Sequence, residues 1–132
     1  MEIHPQLVQF GGSLIAILAL TAFAWWLKLG GKPALKNEMA VFDVANEVES
    51  GFDAQRISIG RGGAAALASD QEGRIMVIKR HGNQFAGRVL TKAASVREEV
   101  DGLIVDCGEA RFGAVRLSLD DPAYWADAIN RL

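Results

Sequence analysis

The stretch LVQFGGSLIAILALTAFAWWL, residues 7–27, contains no charged side chain and ends on Trp25-Trp26-Leu27, immediately before Lys28. At a rise of about 1.5 Å per residue its 21 positions span roughly 30 Å, the thickness of a bilayer's hydrocarbon core. The segment therefore predicts one membrane-spanning helix, with Trp25, Trp26 and Lys28 as its anchors at the membrane interface. Pro5 suits the first turn, where its missing N–H is not needed, and Gly30-Gly31 followed by Pro33 closes the helix.

Ala22-Phe23-Ala24 imitates a signal-peptide cleavage site, but Met1 to Gln6 carry Glu2 and no Lys or Arg, whereas a signal peptide begins with positive charge. An uncleaved anchor is expected. Lys28, Lys32 and Lys36 lie on the far flank, and an excess of Lys and Arg marks the cytoplasmic side. The expected location is the inner (plasma) membrane, single-pass, with the N-terminus outside and the C-terminal part in the cytoplasm. A single cysteine, Cys107, agrees with a reducing compartment because it has no internal partner for a disulfide.

Within the span Gly12, Ala16 and Ala19 recur at i, i+4 and i+7, a stripe of small residues against which a second helix can approach closely. No His, Asp, Glu, Lys or Arg lies in the core of the span, so this helix alone offers neither a proton path nor an axial ligand for a haem. His4 precedes the span as a lone terminal histidine.

Residues 1–29 thus read as the anchor and residues 30–37, with two glycines, one proline and two lysines, as a linker. The rest, 38–132, keeps 11 of the 14 Lys and Arg (all but Lys28, Lys32 and Lys36) and 15 of the 16 Asp and Glu (all but Glu2). Its net charge is about −4, and its 95 residues suffice for one small core.

Val41, Val44, Ala45 and Val48 share one side of a helix predicted over Met39 to Ser50. Seven short runs follow, Gln55–Gly60, Ala64–Ser69, Arg74–Arg80, Phe85–Thr91, Ser95–Val100, Leu103–Cys107 and Phe112–Leu119. Most are separated by turn signals such as Arg61-Gly62-Gly63, His81-Gly82-Asn83 and Asp101-Gly102, the spacing of an antiparallel meander. In the last run Val115, Leu117 and Leu119 alternate with Arg116, Ser118 and Asp120, so one face enters a core. Asp121 is placed to cap, and Pro122 to open, a final helix whose stripe is Trp125, Ala128, Ile129 and Leu132. Trp125 and Ile129 are its core anchors.

This order of elements, with its terminal Trp-bearing helix, resembles the pleckstrin-homology-like (PH-like) barrel over roughly residues 54–132. The fold class expected is one N-terminal transmembrane α-helix, read from the apolar span, followed by a small α+β domain that the resemblance makes an antiparallel seven-stranded barrel capped by its C-terminal helix. It also implies lipid-headgroup binding or protein docking. The lipid motif, a basic run around the first loop, is not reproduced: that region offers Arg56, Arg61 and Gly62-Gly63. Arg56 and Arg61 with Arg74, Lys79, Arg80 and Arg88 form a candidate basic patch, whose bland reading is a solvated sheet face.

No catalytic constellation stands out. His81 sits in a Gly-containing turn, Cys107 ends an apolar strand without CxxC or Cys-His spacing, and Gly60-Arg61-Gly62-Gly63 lacks the GK[ST] ending of a phosphate loop. Glu98 and Glu99 point to opposite faces of a strand. No catalytic residue, cofactor, metal, nucleic acid or small-molecule substrate is expected. The function expected is that of a non-catalytic accessory or assembly subunit of a larger inner-membrane protein complex, respiratory or photosynthetic by base rate. The alternative is a free-standing membrane-tethered module that binds anionic membrane lipid or a soluble partner.

Overall fold

A computed structural model describes residues 5–29 and 33–132, with side chains as far as Trp25 in the first segment. His4, the linker residues Gly30 to Lys32 and the side chains of the interface anchors Trp26 and Lys28 lie outside the described set. The chain forms two compact units, one up to Lys32 and one from Pro33 onward.

The first unit is helix α1, Pro5–Leu29, which contains a stretch long and apolar enough to cross a membrane, Pro5–Trp25. Its large side chains Leu7, Phe10, Ile15, Leu20, Phe23 and Trp25 are exposed. The Thr21 hydroxyl donates to the Ile17 carbonyl at 2.8 Å, so this polar group is satisfied inside the helix, as a lipid environment requires.

The second unit starts before the helix predicted to open it. Residues 33–37, read from composition as linker, include Leu35, which is buried. Leu35 N–H donates to the Gly63 carbonyl at 2.8 Å, and the Arg80 guanidinium donates to the Pro33 carbonyl at 2.9 Å. Gly63 has φ +70°, and a Cβ there would lie 2.8 Å from the Leu35 carbonyl oxygen and 2.9 Å from its nitrogen. Only glycine allows this close docking. Gly63→Ala is expected to cost about 1–3 kcal/mol and to release residues 33–35. Hydrogen exchange reads it out: the Leu35 amide loses protection while strand amides keep theirs, and an unchanged Leu35 amide would count against the docking.

Helix α2, Glu38–Val48, opens with Asn37, whose side chain accepts from Ala40 N–H at 2.9 Å. It stops short of Ser50. The seven strands are β1 (Arg56–Ile59), β2 (Ala65–Ser69), β3 (Ile75–His81), β4 (Gln84–Val89), β5 (Ser95–Glu99), β6 (Gly102–Asp106) and β7 (Ala114–Ser118), followed by α3, Pro122–Asn130. Consecutive strands pair antiparallel, in one sheet of order β1-β2-β3-β4 and another of order β5-β6-β7.

The expected closed barrel does not form. Among the described residues no ladder joins the two sheets, and one backbone hydrogen bond, Arg61 N–H to the Ser118 carbonyl at 3.0 Å, links the β1–β2 turn to the end of β7. The break between β4 and β5 has a local cause. Leu90 N–H still bonds to Ile75, but Ala94 N–H then bonds to the Thr91 carbonyl at 3.0 Å, a tight turn that carries the chain into the second sheet.

Two apolar layers result. One lies between the sheets and α3 and holds Leu67, Val77, Leu103, Leu117, Trp125 and Ile129. The other lies on the opposite face of the first sheet, where Val41 and Ala45 of α2 meet Phe52, Ala66, Met76 and Ile78. With both faces covered, the central strands β2 and β3 are buried in continuous runs rather than alternately. In β7, covered on one face, Val115 and Leu117 are buried and Arg116 is exposed.

Trp125 is fully buried, and its Nε1–H donates to Ser58 Oγ at 2.8 Å. That hydroxyl in turn faces Asp121, 3.1 and 3.0 Å from the two carboxylate oxygens, and the Arg56 guanidinium reaches the same carboxylate at 3.2 Å. Asp121 therefore holds the N-cap position without capping: its side chain makes no bond to the helix N–H groups. Its carboxylate is drawn instead to Ser58 and Arg56, tying β1 to the start of α3 across the first core.

Candidate interaction surfaces

The small-residue stripe of α1 is open. Gly12, Ala16 and Ala19 are exposed, and a Cβ added at Gly12 meets nothing within 4 Å. The face is free, among the described residues, to receive another helix.

The six cations of the candidate basic patch do not gather. Arg56 sits on Asp121 and stacks over the Tyr124 ring, 3.4 Å from its centroid. Arg61 reaches Asp120 at 3.4 Å in open solvent. Arg80 is bound to Pro33. Arg74 is held at the β2–β3 turn by Asp70 at 2.6 Å, with Glu72 at 3.6 Å and Glu49 at 4.0 Å. The Asp70 hydrogen bond raises the Arg74 pKa above its ordinary value and outweighs the opposing effect of desolvation. Asp70 also accepts from the N–H groups of Glu72 and Arg74, which makes it the organiser of that turn.

Only Lys79 and Arg88 come together. The β3–β4 register sets Val77 opposite Arg88 and Lys79 opposite Ala86, so the two cations are diagonal neighbours on the face turned toward the second sheet. Both stand over one ring: the Lys79 ammonium is 4.5 Å and the Arg88 guanidinium carbon 5.0 Å from the Phe112 centroid. Lys79 also donates to the Phe112 carbonyl, and Arg88 pairs with Glu109 at 2.8 Å. A cleft of about 310 Å³ opens here, lined by Lys79, His81, Ala86, Arg88, Arg111 and Phe112.

Arg111 and Phe112 were not singled out as site residues from sequence. They lie in the irregular segment after Gly108, where no periodicity indicates which side chains face β3 and β4. In the sequence Phe112 reads as the start of the last strand run, and no local signal turns it or Arg111 toward β3 and β4.

The remaining sequence candidates are placed as follows. Cys107 is buried in the core between the sheets, and His81 is exposed at the end of β3. Among the described residues no three His, Cys, Asp or Glu side chains gather to hold a metal ion. Met39 at the start of α2 is 72% exposed and, with Phe42, Ala54 and Ile57, forms an apolar notch on the side of the first sheet that α2 covers. Comparison with family models, with curated proteins and with solved structures finds no match to this chain.

Proposed function

We propose that this chain is a non-catalytic accessory or assembly subunit of a larger inner-membrane protein complex, held by its helix and docked through its cytoplasmic domain. The observation that carries this reading is the exposed apolar surface of α1 with its continuous face of Gly12, Ala16 and Ala19. In a bilayer, association of helices depends on close backbone approach and van der Waals fit, and a small-residue face supplies both. Lys28, Lys32 and Lys36 support an orientation with the domain in the cytoplasm. The domain's role as a PH-like docking module rests on its four-plus-three arrangement of antiparallel strands and on the final helix that buries Trp125 between the sheets.

Mild-detergent extraction from native membranes, followed by native-gel separation and mass spectrometry of comigrating chains, tests the reading. Stoichiometric comigration with a large integral-membrane assembly is expected; migration alone would refute it. The double variant Gly12→Leu, Ala16→Leu is expected to lower recovery with that assembly about tenfold, the equivalent of about 1.4 kcal/mol. The domain, on the other side of Pro33, should melt as before. Undiminished recovery would remove this face from the interface.

A further inference from the structure

We infer that the cleft between the β3–β4 hairpin and the segment before β7 binds a phosphomonoester group, with Lys79, Arg88 and Arg111 as its charge partners and His81 at its rim. The inference is independent of the accessory-subunit reading. Its basis is an excess of positive charge that the fold does not neutralise. Elsewhere in this acidic domain Arg56, Arg61, Arg74, Arg116 and Arg131 each sit on a carboxylate, and Arg80 is held by the Pro33 carbonyl. Among the three permanent cations that line the cleft, the one ion pair is Arg88 with Glu109.

Like charges crowded on one face repel, although Lys79 is also held by the Phe112 carbonyl and Arg88 by Glu109. Along the same face of β3 the residues change from the buried Ile75 and Val77 to Lys79 and His81. The β3–β4 pairing and the Phe112 ring then hold Lys79 and Arg88 pointing into the cleft. Three cations less one carboxylate leave about two positive charges. A phosphomonoester carries about −1.5 to −2 charges and three acceptor oxygens, which matches that surplus, whereas one further carboxylate would neutralise half of it. Two guanidinium forks and one ammonium suit such a group: the forks bind pairs of oxygens and the ammonium acts as a point charge. The group can belong to a lipid headgroup or to a soluble phosphate ester, and the chemistry of recognition is the same.

The test uses the full chain in phosphatidylcholine nanodiscs, followed by amide NMR. In one arm glycerol 3-phosphate is titrated into plain discs; in the other, phosphatidic acid is introduced into the discs. Saturable shifts confined to residues around Lys79, His81, Arg88 and Phe112 are expected in at least one arm. Saturation in the first arm identifies a soluble ester, and saturation in the second alone identifies a headgroup. Arg111→Gln, at an exposed side chain, should weaken binding about tenfold, whereas Arg116→Gln, away from the cleft, should leave it unchanged. The thermal melt of each variant establishes that it is folded. The inference is overturned by absence of saturation in both arms, by equal weakening in the two variants, or by polyglutamate binding at the same residues when neither phosphate source does.

Discussion

Trp125→Ala should cost the C-terminal domain about 3–5 kcal/mol, the range for deleting a fully buried large aromatic. Two losses combine. The indole lies in the layer between the sheets with Leu67, Val77, Leu103 and Leu117, so its removal leaves a cavity that strands on both sides would have to close. Its N–H is also a donor that joins Ser58 to α3, beside the separate Ser58–Asp121 and Arg56–Asp121 links that hold the start of the helix against β1. A domain of this size is stable by about 5–15 kcal/mol in total, so the variant retains at best a fraction of that. Denaturant unfolding of the full chain, followed by near-ultraviolet dichroism, measures the change. Trp125→Phe separates the two losses: it keeps most of the volume and should cost less, about 1–3 kcal/mol, for the unmade hydrogen bond and the smaller void. A Trp125→Ala domain within 1 kcal/mol of the parent would mean that α3 does not close the core.

Gly102→Ala should be nearly as damaging, although it adds a single methyl group. Gly102 begins β6 between Glu99 of β5 and Ser118 of β7. A Cβ there would lie 1.9 Å from the Leu117 carbonyl oxygen and 2.9 Å from its carbon. Both are backbone atoms of the neighbouring strand, so no rotamer change relieves the overlap. Either β7 moves away, breaking its pairing with β6, or β6 bends and disturbs Leu103 next to it in the core. The expected cost is about 3 kcal/mol or more, with hydrogen-exchange protection lost first across β6 and β7 and kept in β2 and β3. Melting unchanged to within 1 kcal/mol would show that this sheet is looser than its register indicates.

Asp101-Gly102 was legible as a turn, yet its glycine is there for another reason. The turn proper is Val100-Asp101, and Gly102 is needed because β7 passes over it. The same distinction holds through the chain. The apolar span, the helix over Val41 to Val48, the alternation of Val115 and Leu117 and the stripe of α3 were readable because each depends on the period of a single element: 3.6 residues for a helix, two for a strand. Seven strands could be counted from their turns, with ends shifted by one or two residues.

What depends on two distant segments was not readable. Composition marks Pro33 to Asn37 as linker, and only the close approach at Gly63 makes Leu35 part of the core. Asp121 looks like a cap until Ser58 and Arg56, more than sixty residues away in sequence, claim its carboxylate. The basic residues look like one patch until the pairing of β3 with β4 puts Lys79 and Arg88 on one face and leaves Arg80 on the other, with Arg111 and Phe112 joining from an irregular segment. The sequence by itself determined the membrane-length helix, the acidic α+β domain and the count and order of its elements, because local periodicity and turn chemistry encode these. The tertiary structure alone decided that the strands divide into two unclosed sheets, that α2 covers the first of them, and which cations meet in a cleft. Those outcomes follow from packing and pairing between segments far apart in the chain, whose energies no short window of sequence contains.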